Sequence, residues 1–387
     1  MKVTELRDMR HLRSEGTRQP IAAASHAAGE IYSSEQVLDL EKQNIFMKEW
    51  LCVARVEEVE NPGDYFATRI IGEPLLIVRN KQGEINAFAN VCLHRGVEIA
   101  TGTGNTENFS CPYHAWMYDL DGNLTSASFM RESNDFDAKS CKLKKVHAGV
   151  WAGWVFINFS ADPVPLSEAL SEFASDVDIL KMENLRLGTK VTLDLPTNWK
   201  FVVENLMDVY HVRTLHYNSF GKHRGPPENY PFNLRKNGGT CTQYEARPMT
   251  PDGASLFGKM PALKNEPDNF AMSAHFAPNM QVIARVDNVH PLVMWPLTAT
   301  TSRTYVYNLY PKEWFGTPDF DEKLKIYDDY IRFVLAEDTT MMNSLQNGIT
   351  STNYSPGRFS TLEKGIHHVL NDYLERVFSV KENVDAN

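Results

Sequence analysis

No apolar run in the 387 residues approaches the ~20 residues of a membrane span. Positive charge is not in surplus. Lys and Arg total 39 against 49 Asp and Glu, a net charge of −10, so nucleic acid is not expected as the main partner. No G-x-G-x-x-G follows an apparent strand and no flavin motif is found, so the chain is not expected to carry its own nicotinamide or flavin site. Lys2, Glu5, Arg7, Asp8 and Arg10 open the chain with no apolar core behind them, which argues against a secretory signal. Cysteine is scarce. Cys52, Cys92, Cys111, Cys141 and Cys241 are odd in number and dispersed, so a disulfide framework is not expected and a reducing cytoplasm is. Internal repeats and low-complexity segments are also missing. What remains is an ordinary globular composition, 42% hydrophobic and 23% charged, on a chain long enough for two domains.

The most informative stretch runs from Cys92 to His114. Cys92-Leu93-His94 is followed by sixteen residues, Arg95 to Ser110, and then by Cys111-Pro112-Tyr113-His114. Two thiolates and two imidazoles form a four-ligand metal set. Zinc would accept it. So would a [2Fe–2S] cluster of the Rieske kind, with Cys92 and Cys111 on one iron and His94 and His114 on the other. The flanking residues favour iron and sulfur. Gly96 and Pro112 permit tight loops whose N–H groups can approach cluster sulfurs, and Tyr113 and Trp116 can shield the cluster.

The surrounding pattern predicts an α+β chain. Ser34 is placed to cap a helix with Val37, Leu38, Leu40 and Ile45 on its apolar face. From Trp50 to about Ser160 the signals are β: strands at 50–54, 65–71, 75–79, 85–88, 116–118, 142–146 and 151–159, with a hairpin turn at Asn80–Glu84. Spacing of this kind suggests a small antiparallel domain. After Pro163 and Pro165 a helical pattern covers Leu166 to Leu180, and Glu183 to Leu195 reads as strand. Residues 230 to 285 are rich in Pro and Gly and give strands only at Val282–Arg285 and, beyond, at Thr301–Tyr310. A long helix is predicted over Phe320–Gln346 with Ile326, Tyr330, Phe333, Val334 and Met341 facing inward, and a last helix over 361–379. The domains expected are an arm and helix at 1–45 packing on the C-terminal domain, a cluster domain at 46–162 and that C-terminal domain at 163–387.

The second informative stretch is Glu204-Asn205-Leu206-Met207-Asp208-Val209-Tyr210-His211-Val212-Arg213-Thr214-Leu215-His216. On an ideal helix His211 and His216 are about 140° apart, so both reach one metal only if the helix bulges or breaks between them. Alone, they read as ordinary core or surface histidines. Beside a one-electron cluster they suggest the two-His, one-carboxylate set of a non-haem Fe(II) oxygenase.

With both motifs in hand, the chain resembles the Rieske non-haem iron aromatic-ring-hydroxylating oxygenases, specifically their catalytic α subunits, over nearly its whole length. The resemblance implies a Rieske domain with two cluster-binding hairpin loops and a catalytic domain built on an antiparallel sheet flanked by helices. It implies His211 and His216 as iron ligands, with a third in the long helix, Asp338 or alternatively Glu337. Asp208 matches the acid that links the cluster of one subunit to the iron of its neighbour, and Asn205 a polar residue close to the iron. O2 would be the co-substrate, with NADH electrons arriving through a separate reductase, with or without a ferredoxin. A homotrimer is implied, with or without a β subunit.

The substrate expected is aromatic, to be mono- or dihydroxylated, because members that act on quaternary ammonium compounds often carry Glu where this chain has Asp208. Oxidative N- or O-demethylation is the alternative. Leu206, Met207, Val282, Met294, Trp295 and Phe333 are the expected pocket lining; Arg213, Arg235 and Arg285 are candidates for binding a carboxylate. His367 and His368 diverge on a helix and read as surface or support. Two readings from other classes compete: a Rieske electron-transfer protein without a mononuclear iron, and a colourless zinc-stabilised binding module.

Overall fold

The computed structural model describes residues 12, 15–130, 132–223 and 230–378. They form two compact units, Met47–Leu166 and a second one made of Met1–Phe46 with Ser167–Asn387.

The first unit is a seven-stranded antiparallel sheet with a three-stranded one beside it. Its strands are β1 (Leu51–Arg55), β2 (Asp64–Ile70), β3 (Glu73–Arg79), β4 (Ile85–Ala89), β5 (Thr103–Asn105), β6 (Phe109–Ser110), β7 (Met117–Tyr118), β8 (Leu124–Ser126), β9 (Lys145–Trp151) and β10 (Trp154–Asn158). The larger sheet runs β1-β10-β9-β4-β3-β2-β5 and the smaller β6-β7-β8. The turn at Asn80–Glu84 closes as its residues require: the Asn80 side-chain oxygen accepts from Gln82 N and Glu84 N, and Gly83 takes a positive φ. One apolar run was expected as a single strand, Trp151–Phe159. It is instead the end of β9, a tight turn and the return strand β10. Ala152 and Gly153 both adopt positive φ and join β9 to β10. A Cβ at Gly153 would lie 2.6 Å from the Arg55 guanidinium, so glycine there serves both the turn and the buried arginine. Leu76, Val78 and Phe88 share one core cluster with Cys92, Cys111, Trp116 and Tyr118, so the cluster-motif cysteines are part of the hydrophobic core.

The second unit is built on another seven-stranded antiparallel sheet: β11 (Leu185–Leu195), β12 (Asn233–Leu234), β13 (Thr240–Glu245), β14 (Phe270–Phe276), β15 (Met280–Arg285), β16 (Asn288–Thr298) and β17 (Thr301–Pro311), ordered β11-β17-β16-β15-β14-β13-β12. Sequence patterning found β11, β15 and β17. It missed β16 because Pro291 and Pro296 read as strand breakers; the strand nevertheless holds register, with Pro291 opposite Val282 and Pro296 opposite Ser302.

Helices complete this unit: α1 (Glu35–Glu41), α2 (Trp199–Met207), α3 (Val212–Leu215), α4 (Phe320–Gly348) and α5 (Lys364–Val377). Ser34 caps α1 by accepting from Val37 N, and the helix continues as a π-helical turn, Lys42–Phe46. The long helix α4 corrects the expected inner face. Its buried stripe is Tyr327, Ile331, Val334, Asp338, Met342 and Gln346, a spacing of four, three, four, four and four. Ile326, Phe333 and Met341 are exposed. Apart from Val334, which is buried as expected, hydrophobicity alone selected the neighbouring stripe, because the true one contains two polar residues. Gln346 is buried for a reason: it accepts from Asn198 N at 2.7 Å and donates to Tyr32 O at 3.1 Å. No described helix is long and apolar enough to cross a membrane.

Segment 15–46 is tied to the sheet-bearing part of its unit by a buried polar network. Glu41 is fully buried. Its carboxylate accepts from Trp199 Nε1 at 2.7 Å and Tyr373 OH at 2.6 Å, and pairs with Lys200 Nζ. Three helices, α1, α2 and α5, therefore meet on one side chain. Removing one member of a buried, hydrogen-bonded ion pair typically costs about 3–5 kcal/mol. Glu41→Ala is expected to lose that much, measured as a fall in the urea midpoint at constant slope; a loss below about 1 kcal/mol, the range of an exposed pair, would show that the network does not hold the segment.

Candidate metal centres

The two cluster-motif loops have the same backbone. Cys92 N donates to Val97 O and Gly96 N to Cys92 O; Cys111 N donates to Trp116 O and Ala115 N to Cys111 O. The fourth residue after each cysteine, Gly96 and Ala115, has a positive φ of 76° and 55°. Each loop turns back within five residues, burying its cysteine and leaving its histidine exposed. The His94 and His114 Nδ1 atoms lie 3.1 Å apart. Trp116 stacks on His94 with centroids 5.0 Å apart. Tyr118 OH accepts from Leu93 N and sits 3.3 Å from Cys92 Sγ. Its proton is thus free to be donated to a thiolate sulfur, a contact that raises a cluster's potential. Two buried thiolates, two converging imidazoles and a donor beside the sulfur fit a [2Fe–2S] group with mixed ligation better than a tetrahedral zinc.

The second centre is assembled in the catalytic unit. Helix α2 stops at Asp208, whose extended ψ of 107° breaks the helix. One turn of helix then follows, α3, with His211 immediately before it and His216 immediately after. The break expected between the histidines therefore lies upstream of both. His216 has left helical geometry, with φ at −91° and ψ at 20°, and the two side chains five residues apart converge. Their Nε2 atoms are 3.3 Å apart. Asp338 Oδ1, from the buried stripe of α4, lies 3.0 Å from His216 Nε2 and 3.6 Å from His211 Nε2. That oxygen is buried and has no hydrogen-bond donor. Three lone-pair atoms within 4.8 Å of one another are mutually repulsive unless a cation sits among them, so the residues fit a metal.

Each imidazole is braced from behind by a carboxylate. Glu337 Oε2 lies 2.8 Å from His216 Nδ1 and also accepts from Ser219 Oγ at 2.7 Å. Asp208 Oδ2 is 3.0 Å from His211 Nδ1, a charge contact not aligned as a full hydrogen bond, while Asp208 Oδ1 accepts from Tyr210 N. Burial disfavours the charged form of His216, yet Asp338 and Glu337 reverse this and its pKa is raised. The protein thus places negative charge where a metal cation would go. Glu337, the alternative third ligand, faces Nδ1 rather than the site where the Nε2 atoms meet.

A cavity of about 110 Å³ adjoins this centre. Asn205, Leu206 and Met207 line it, but Val282, Met294, Trp295 and Phe333 do not. Strand alternation explains two of these: Ile283 and Leu292 face the cavity, which turns Val282 and Trp295 to the other side of the sheet. Met294 lies beyond the lining residues of β16, and Phe333 is half exposed on the outer face of α4. Patterning did not find Thr242, Ser273 and His290. Their strands were hard to read, although register aligns Thr242, Ser273, Ile283 and His290 in one row across the sheet. Among the other candidates, His367 Nε2 contacts Thr17 O and Gln19 O, and His368 Nε2 contacts Arg235 O, so both tie segments together. Arg235 pairs with Asp176. Of the three candidate arginines only Arg285 lines the cavity.

Comparison with known proteins bears on both centres. Residues 49–143 match the family described as the Rieske [2Fe-2S] domain, and residues 182–379 match the ring hydroxylating alpha subunit (catalytic domain). The carnitine monooxygenase oxygenase subunit of Acinetobacter pittii is 37% identical over 188 residues, 48% of this chain and 51% of that protein; the chain spans about half the length of the first such curated relatives it matches. The glycine betaine monooxygenase oxygenase subunit of Pseudomonas aeruginosa is 26% identical over 387 aligned positions, covering 90% of this chain and 88% of that one. A solved quaternary ammonium Rieske monooxygenase superposes with a TM-score of 0.78 at 26% identity, covering 91% and 94% of the two chains. Naphthalene 1,2-dioxygenase shares the fold, with a TM-score of 0.76 at 21% identity over 95% of each chain. With a catalytic-family match over half its length, a Rieske domain ahead of it and residues that fit both iron groups, the chain belongs to the Rieske oxygenase α subunits, which carry a [2Fe–2S] cluster and a mononuclear iron.

Proposed function

We propose that the chain is the oxygenase component of a monooxygenase that hydroxylates a carbon bonded to nitrogen in a quaternary ammonium substrate. One atom of O2 enters the C–H bond and the other leaves as water, with two electrons and two protons consumed. The C–N bond of the hydroxylated product then breaks, releasing an aldehyde, which is formaldehyde when the carbon is a methyl. Electrons come from NADH through a separate reductase, and the chain works as a homotrimer.

The observation that carries this reading is the resemblance to a glycine betaine monooxygenase across 90% of the chain. The aromatic substrate expected from Asp208 gives way to it. The cavity supports the change. Phe220, Phe232 and Tyr244 are among its lining, and aromatic faces attract quaternary ammonium groups.

When bound, the iron and the cluster supply the electron transfer and O2 chemistry that hydroxylation of an unactivated C–H bond requires. The chain's residues do the rest. His211, His216 and Asp338 would hold the iron beside the cavity, which all three also line. Cys92, Cys111, His94 and His114 would hold the cluster. Glu337 and Asp208 are positioning residues that fix the imidazole orientations. Leu206, Met207 and the other apolar lining exclude water from the reacting carbon.

A direct test is turnover with a reductase and NADH. N-methyl quaternary ammonium compounds are expected to consume NADH and release aldehyde in equal amounts. Formation of a phenol or ring diol from an aromatic panel, with no aldehyde from the ammonium compounds, would replace this reading with ring hydroxylation.

Iron retention separates ligands from braces. Purified protein is expected to hold three irons per chain, and Asp338→Ala one fewer, with its cluster absorption unchanged. Glu337→Gln is expected to keep the site but to bind the mononuclear iron about 10- to 100-fold more weakly, the usual cost of losing a brace behind a metal-bound imidazole. Complete loss in Glu337→Gln with retention in Asp338→Ala would exchange their roles.

Asp208→Asn is expected to retain both iron groups while slowing reoxidation of a pre-reduced cluster by substrate and O2, because a neutral amide removes the negative charge that lies against the His211 ring. An unchanged single-turnover rate would reduce Asp208 to a helix terminator.

A further inference from the structure

The cavity wall opposite α3 and α4 is the sheet, and one residue on it is out of place in an apolar pocket. Arg285, the last residue of β15, is almost fully buried and is the only Lys or Arg among the described lining residues. It forms no ion pair with any described residue. The nearest acid in sequence, Asp287, instead accepts from the Tyr327 hydroxyl. A buried guanidinium without a counter-charge is costly, so its surroundings must give it a purpose.

Its hydrogen bonds are uneven. Nη1 donates to Tyr244 OH at 2.9 Å and to Ala284 O at 3.1 Å. These fix the plane of the group. Nε has no acceptor, and Nη2 has only the thioether of Met249 at 4.0 Å. The Nε–Nη2 edge is the side of a guanidinium that takes a planar two-oxygen anion through two parallel hydrogen bonds. Strand register adds neighbours. Arg285 and Tyr244 share one cross-sheet row through Ala271, and the adjacent same-face row holds Thr242, whose buried Oγ1 also lacks a partner. His290 in that second row does not compete as a cation, since burial lowers its pKa to about 4.

We infer that Arg285 is the anchor for a carboxylate on the substrate and so sets substrate specificity. The inference rests on the quaternary ammonium reading and narrows it to zwitterions that carry both an ammonium and a carboxylate. The polarity of the cavity agrees. Asp208 and Asp338 lie on its helical wall and Arg285 on its sheet wall. A betaine with its carboxylate on Arg285 would direct its cationic end toward the acids and the metal centre. Sequence alone ranks Arg285 level with Arg213 and Arg235 as a carboxylate candidate; the fold separates it from them by placing it in the cavity wall with one guanidinium edge free.

The test compares acids with their methyl esters, which keep the ammonium and remove the negative charge. Binding of glycine betaine, γ-butyrobetaine and both esters is measured by anaerobic calorimetry on the iron-loaded enzyme. The wild type is expected to bind its preferred acid about 10- to 100-fold more tightly than the ester, as loss of a charge-assisted pair implies. Arg285→Gln should abolish that preference, leaving ester affinity within about twofold, with cluster absorption and iron content unchanged. Arg285→Lys should keep part of the preference. A preference for the acid that survives in Arg285→Gln, or no preference in the wild type, overturns the anchor whatever the substrate; the wild-type comparison decides even if the glutamine variant does not fold. Benzoate and its methyl ester form a second arm. If benzoate binds in an Arg285-dependent way and no betaine binds, the ammonium reading falls and the anchor stands. If betaines bind and are turned over equally well without Arg285, the anchor falls and the ammonium reading stands.

Discussion

The catalytic unit depends on how two imidazole rings are aimed. Glu337 behind His216 and Asp208 behind His211 occupy the Nδ1 sides of the rings, so the Nε2 lone pairs are directed at one point, which Asp338 Oδ1 also faces. An imidazole held only by its backbone would rotate about its side-chain bonds, and a metal would have to fix it at an entropic cost. A carboxylate brace removes that freedom beforehand and sets which nitrogen carries the proton. Much else in the unit follows from this demand. Helix α2 must end at Asp208 so that the acid sits below His211. Helix α3 must be a single turn so that histidines at its two ends can converge. Helix α4 must bury a polar stripe so that Glu337 and Asp338, adjacent in sequence, serve His216 from two sides.

The cluster loops solve a related problem by other means. There the histidines are exposed and the cysteines are core residues. The matching turns around Cys92 and Cys111 need no long side-chain braces, because backbone hydrogen bonds within each loop fix the geometry. The left-handed position in the second loop is filled by Ala115 rather than glycine, a modest strain accepted for the turn. Exposed histidines suit a group that must exchange electrons with partners. Buried thiolates beside Tyr118 keep water from the sulfurs.

The cavity has two unlike walls. Its helical wall carries the metal-facing residues, and its sheet wall carries hydroxyls, a neutral histidine and one guanidinium. The acidic composition of the whole chain gives no hint of a local cation. A single buried Arg changes the field inside a small low-dielectric space far more than several surface charges do.

The sequence by itself determined both metal motifs, because ligand identity and spacing are properties of the chain: Cys92-x-His94 with Cys111-x-x-His114, and His211 with His216. It also determined the antiparallel character of the first unit, where alternation and turn residues such as Asn80 and Gly83 agree, and it pointed to an acid in α4. It did not determine which acid. Asp338 and Glu337 are adjacent, and only the rotation of α4 against the sheet turns Asp338 inward and Glu337 behind His216. The apolar pattern misplaced that rotation by one residue, since the buried stripe includes Asp338 and Gln346. Nor could local patterning find β16 across two prolines, or see that Ile283 rather than Val282 lines the cavity. Those outcomes belong to strand pairing between residues far apart in sequence, whose energy comes from partners that no local window contains.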